Sequence, residues 1–186
     1  MFLKALRLSI VLWVLIGLVY PLVTNVFAQV LFPYQANGSL LEEDGVVRGS
    51  LRIAQPYTGD QWFHPRPSAS NYDALASGGT NADVARTDYQ AEIIARADAV
   101  RAESSGIVQA VPNDLVTASG SGLDADLSVP AALAQIPRIA RATGLSEEEL
   151  SAIVARHTVG RELFLFGEKR VNVHELNQAL RERGVR

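Results

Sequence analysis

The chain has no cysteine among its 186 residues. That absence excludes disulfides, zinc–thiolate centres and cysteine nucleophiles, and an exported domain of this size folds without disulfides. Charge is missing from one long stretch: Leu8 to Phe32 contains no Asp, Glu, Lys, Arg or His. A helix rises about 1.5 Å per residue, so roughly twenty such residues cross a hydrocarbon layer of about 30 Å. A single span encloses no pore, which excludes a channel built by this chain alone. A basic surplus is missing too. Outside Lys4 and Arg7, fifteen basic residues face twenty acidic ones, a net charge of −5. That balance disfavours nucleic acid or anionic lipid as the main partner.

What is present begins with the asymmetry around the run. Lys4 and Arg7 precede it and the next basic residue is Arg48. Positive flanks stay in the cytoplasm, which places residues 1–7 inside, a transmembrane anchor at 8–32 and an extracytoplasmic domain at 33–186. A basic start, an apolar stretch and Val26-Phe27-Ala28 also fit a cleavable leader, with Pro21 closing its apolar part. Val30 to Pro33 prolong the apolar character past that site, which weighs for an uncleaved anchor. With 48% hydrophobic and 20% charged residues, the chain is globular rather than disordered.

The pattern beyond the anchor predicts one α+β domain. Gln35 to Ser39 reads as a turn and Val46 to Ala54 as a strand with a glycine bend. Gln55 to Thr80 is a long irregular stretch, a length that in compact domains marks a functional or self-packed loop. Asp83 to Glu103 reads as a helix capped by Asp83, with Ile93, Ile94, Ala97 and Val100 as its apolar stripe, ended by Ser104-Ser105-Gly106. Val111 to Ser119 reads as extended. Ser128 and Pro130 start a helix that Pro137 is expected to kink or break. Ser146 and Glu149 form a capping box before a helix over Glu147–His157. Leu163 to Phe166 and Arg170 to Val173 read as strands, and Asn172 and Glu175 cap a last helix over His174–Arg183.

Candidate chemistry is sparse. His64, His157 and His174 lack the i, i+4 spacing of a zinc-binding helix, so no metal site is expected. Ser119 to Asp124 lacks the spacing of a nucleophile elbow. Ser77-Gly78-Gly79-Thr80-Asn81 could wrap amides around a phosphate, although no lysine follows as in a Walker loop. Gln135, Arg138 and Arg141 lie around Pro137, where a helix break offers either a binding surface or a packing bend. Trp62, in its proline-rich neighbourhood, is either a rigid interface contact or part of the domain's own core. The residues display no catalytic constellation, which favours an accessory or binding subunit over an enzyme. An anchored hydrolase or a glycan-binding module remain the alternatives.

The order of these segments resembles the family of C subunits of Kdp potassium-transporting ATPases. The resemblance rests on Tyr20-Pro21-Leu22, Phe32-Pro33, Gln35 to Leu40, Arg48-Gly49-Ser50 and Tyr57-Thr58-Gly59. It continues through Trp62 to Ala69, Ala76 to Asn81, Val111-Pro112, Asp114 to Asp124, Gln135 to Ala140 and Val171-Asn172-Val173. Asp124-Ala125-Asp126-Leu127 departs from the Asp-Pro-His-Ile usual in that family. The resemblance implies a non-catalytic subunit of a bacterial inner-membrane pump, its N-terminal segment retained as a single-pass anchor. The implied partners are a channel-like potassium subunit, a P-type ATPase subunit and a small membrane subunit. It also implies a chaperone-like role that raises the ATP affinity of the catalytic subunit, with ATP the only implied cofactor and none bound tightly. The nucleotide-contact candidates are Ser77, Gly78, Gly79, Thr80, Asn81 and Gln135. An outward-facing domain conflicts with direct contact to cytoplasmic ATP, and the charge asymmetry favours the outward topology.

Overall fold

The computed structural model describes residues 1–43 and 45–186, and the chain divides into two compact units, Met1–Ser50 and Leu51–Arg186. In the first unit, α1 (Phe2–Val14) passes through a π-helical turn at Leu15–Val19 into α2 (Tyr20–Leu31). Together they make one apolar helix of 30 residues, and none of it is buried within the structure. Pro21 has no N–H to give to the carbonyl four residues earlier, and the widened turn just before it absorbs that mismatch. The helix therefore does not stop at Pro21, as a leader-like reading expects; it continues to Leu31. At about 1.5 Å per residue it is longer than a hydrocarbon layer needs.

Pro33 ends the span. A four-residue helix, α3 (Pro33–Ala36), occupies the start of the predicted turn, which closes with Gly38 and Ser39 at φ +90° and +49°. The antiparallel pair β1 (Leu40–Glu43) and β2 (Val46–Ser50) follows, with a register shift between Leu41 and Glu42. The predicted strand thus stops at Ser50, short of Ala54.

The second unit is a mixed α/β domain. Residues 55–80 form neither helix nor strand, as the composition indicates. α4 (Thr87–Glu103) begins four residues later than predicted. Asp83 does not cap it; its carboxylate instead accepts from Ala85 N–H at 2.9 Å, an Asx turn that holds the chain one turn upstream. Tyr89 is the one buried residue of α4, and Ile94 of the expected stripe is 59% exposed. A 3₁₀ turn at Asn113–Leu115 replaces the extended segment expected there.

β3 (Asp126–Ser128) leads into α5 (Val129–Thr143), whose Ala131 N–H is capped by the Ser128 hydroxyl. Pro137 lies inside α5 without breaking it: the helix runs to Thr143 and ends on Gly144 in the left-handed conformation. Burial explains the tolerance. Ile136, Pro137, Arg138 and Ile139 are all buried, and packing outweighs one lost hydrogen bond. α6 (Glu147–Arg156) starts with the predicted capping box, Ser146 and Glu149 bonding each other's backbone N–H. β4 (Thr158–Val159) and β5 (Arg170–Asn172) follow, and then α7 (Val173–Glu182), capped by Asn172, whose side-chain oxygen accepts from His174 and Glu175 N–H. Leu163 to Phe166 is a closed turn rather than a strand.

The sheet has the order β3-β5-β4, all antiparallel, with β5 in the middle. Val171 at its centre is fully buried, and around it pack Leu127, Ile139, Leu150, Val154, Leu176 and Leu180, each at most 1% exposed.

Candidate functional site

The irregular stretch acquires its shape from two side-chain amides. Asn177 of α7 accepts from Phe63 N–H at 2.8 Å and donates to Phe63 C=O at 2.9 Å. Gln135 of α5 does the same to the next residue, accepting from His64 N–H at 2.8 Å and donating to His64 C=O at 3.0 Å. Consecutive residues of a strandless segment are thereby paired on both sides as if in a sheet, which satisfies backbone groups that burial would otherwise leave unmet. Phe63 is fully buried, and Trp62 is 9% exposed. Arg181 lies 5.3 Å from the centre of the Trp62 ring and Tyr57 stacks obliquely beside it at 6.3 Å. Trp62 therefore belongs to the domain's own core, the second of the two readings that its sequence context left open, and not to an interface.

His64 opens onto a cleft of about 190 Å³ between α4 and α5, lined also by Arg96, Glu103, Ser104, Gln135 and Arg138. Arg138 is almost wholly buried; its guanidinium donates to the Asp60 carbonyl at 3.1 Å and to Gln135 at 2.8 Å, and its Nε lies 3.3 Å from the Glu103 carboxylate. His64 Nε2 is 3.0 Å from the Gly59 carbonyl and 3.3 Å from Arg138 Nη1. Burial first, and then the adjacent guanidinium, hold the His64 pKa below its ordinary value, while the Gly59 carbonyl opposes them. Arg138 is also pulled down by burial, with Glu103 as its main support. Arg141 is absorbed locally, donating to the Pro137 carbonyl at 3.2 Å and to the Glu103 carbonyl. The polar residues around Pro137 thus serve a packed junction between α4, α5 and the 59–64 segment.

The Ser77 to Asn81 loop lies elsewhere, zipped against the glycine-rich turn at 119–124. Gly78 N–H donates to Ser121 C=O at 2.8 Å and the Ser77 hydroxyl donates to the same oxygen at 3.0 Å. Ser119 N–H reaches Pro67 C=O at 3.0 Å, the Ser68 hydroxyl donates to Gly122 C=O at 2.6 Å, and Arg66 pairs with Asp124 at 3.2 Å. The glycines are required by proximity. A Cβ on Gly122, at φ +69°, would lie 2.6 Å from the Ser70 hydroxyl and 2.8 Å from the Gly78 carbonyl; one on Gly79 would lie 3.0 Å from the Gly120 carbonyl. Of the six nucleotide-contact candidates, Gln135 alone lines the α4–α5 cleft, both ends of its amide already engaged, and the Gly78 amide is engaged with Ser121.

The remaining histidines are held internally. His174 is buried between the Tyr57 hydroxyl at 2.9 Å and the Ile53 carbonyl at 2.9 Å; burial lowers its pKa, and the Ile53 carbonyl opposes that shift. His157 approaches Glu175 at 3.7 Å. Among the described residues, the side-chain contacts of His64 and His157 involve neither Ser119 nor Ser121, the hydroxyls that a hydrolase reading would use. Asn177, which sets the site's backbone, was not singled out by sequence reasoning. Its only signal is an amide at a core position of an amphipathic helix, flanked by Leu176 and Leu180.

The sequence model of the family "K+-transporting ATPase, c chain" matches residues 2–182. A potassium-transporting ATPase KdpC subunit of Caldanaerobacter subterraneus is 43% identical over 180 residues, covering 96% of this chain and 93% of that protein. The KdpC subunit of Rhodospirillum rubrum is 46% identical over 187 residues, 97% of each chain, and that of Sorangium cellulosum 48% over 179 residues, 95% and 94%.

Proposed function

The chain belongs to the KdpC family of potassium-transporting ATPase subunits, and from that premise we propose that it is a non-catalytic accessory subunit whose folded unit faces away from the cytoplasm. It is held by one span in a bacterial inner membrane, beside a channel-like subunit and a P-type ATPase subunit. The observation that carries the reading is the charge asymmetry of the anchor: Lys4 and Arg7 before it and no further basic residue until Arg48. The outer unit covers the potassium entrance of the channel-like subunit and stabilises the assembly there, because a lone span buries little surface by itself.

Any increase in the ATP affinity of the catalytic subunit is then transmitted through the complex rather than by nucleotide held on this chain. Two observations support that choice over direct contact at Ser77–Asn81 and Gln135. The Gln135 amide is fully engaged with His64 and Arg138, and the Gly78 amide with Ser121.

Orientation is tested with a cysteine at Ser105, an exposed position just after α4. In intact cells carrying the assembled pump, an impermeant maleimide is expected to label Ser105→Cys from outside. Labelling only after the cytoplasmic face is opened would overturn the proposal and give ATP a route to the domain.

A further inference from the structure

One surface of the folded unit plays no part in that reading. Between β4 and β5, Leu163, Phe164, Leu165 and Phe166 are 82%, 97%, 70% and 61% exposed. They do not dangle. Glu162 and Phe166 exchange backbone hydrogen bonds in both directions at 2.9 Å, and Leu165 N–H reaches the Glu162 carbonyl at 3.1 Å. Within this closed loop Leu163 and Phe164 hold φ of +50° and +64°. Two successive bulky residues in the left-handed region are costly, and such strain persists where the surroundings impose it, often at binding sites. The result is a compact tip that turns four large apolar side chains outward, an arrangement that marks an interaction surface.

The anchor identifies the occupant. The apolar helix ends at Leu31 and the folded unit begins at Leu51, so nineteen residues of chain tether the unit to the bilayer that holds the helix. A four-residue apolar loop binds membranes weakly from solution, but tethering makes the second contact intramolecular and a weak preference suffices. The rim suits headgroups: Arg161 and Lys169 are exposed at the base, where long cationic side chains reach phosphates, and Arg170 is engaged with Asp126 and Glu162. Glu168 shares that rim, so apolar area rather than charge drives the contact. We propose that Leu163–Phe166 is a membrane-docking loop, seating its side chains in the interfacial layer of the bilayer that holds the anchor. The inference is independent of which side of the membrane the unit occupies.

Because the chain has no cysteine, Phe164→Cys gives a single spin-label site on the full-length protein, reconstituted here in phosphatidylcholine vesicles. Collision with oxygen, which concentrates in lipid, is expected to exceed collision with a water-soluble nickel chelate several-fold at position 164. The reverse is expected at Glu148→Cys, exposed on α6. Adding Leu165→Asp, a change at an exposed side chain that leaves the circular dichroism spectrum intact, should return the label to water. Water-like accessibility at 164, or a label that stays in lipid despite Leu165→Asp, would overturn the proposal. Shielding from both reagents would also overturn it, in favour of a second copy of the chain covering the tip.

Discussion

At the scale of single residues, the two amides that clamp Phe63 and His64 carry more of the architecture than any charged group. Removing one partner of a buried hydrogen bond costs more than the bond contributes, because the remaining group is left without water. Asn177→Ala strands both the N–H and the C=O of fully buried Phe63. Its expected cost is about 2–6 kcal/mol, at roughly 1–3 kcal/mol per stranded group, read from the urea midpoint of the full chain in detergent. Asn177→Asp keeps the acceptor but buries a carboxylate against the Phe63 carbonyl, so near neutral pH it should cost at least as much as alanine. A loss below about 0.5 kcal/mol, the size of an ordinary surface effect, would show that the clamp is not needed. None of this was legible beforehand. The partners are separated by 114 and 71 positions, and the local pattern places the Asn177 amide on the core face of its helix without saying what it binds. Trp62 was ambiguous for the same reason, since an aromatic in a proline-rich loop suits a core and an interface equally.

At the scale of elements, helix starts were legible where a local side chain makes the cap. Ser128, Ser146 and Asn172 each cap where the sequence indicated, because capping is decided within three residues. Asp83 failed because the same carboxylate chemistry also serves a turn, and the turn won. The expected strand at Leu163–Phe166 failed because apolar residues alone do not distinguish a buried strand from an exposed tip. Unequal packing among the helices has a measurable consequence. α4 buries Tyr89 alone, whereas α5 buries seven residues. Few buried contacts mean a low local opening free energy. The amides of α4 are therefore expected to exchange with deuterium well before those of α5, α6 and α7. Equal protection across the four helices, in hydrogen exchange followed by mass spectrometry, would contradict this ranking.

At the scale of the whole molecule, buried His174 and half-buried His64 shape the response to mild acid. His64 and His174 both have folded pKa values depressed chiefly by burial, so the unfolded chain binds their protons more readily. Their contribution to stability is present above the unfolded value of about 6.5 and is lost as the pH falls through that value towards the folded ones. Urea titrations of the full chain should therefore give a flat midpoint above about pH 7.5 and a falling one from pH 7 to 5. His174→Phe should lower the plateau and flatten part of the slope; stability that rises on acidification would refute the assignment. The general plan, one apolar span and one α+β unit, was readable from composition, whereas the central place of β5 was not, because strand pairing is long-range. That placement bears on biogenesis. β3 and β4 pair only through β5, and the core closes on Leu176 and Leu180 of α7. The folded unit therefore cannot close its sheet or its core before β5 and α7 have been synthesised.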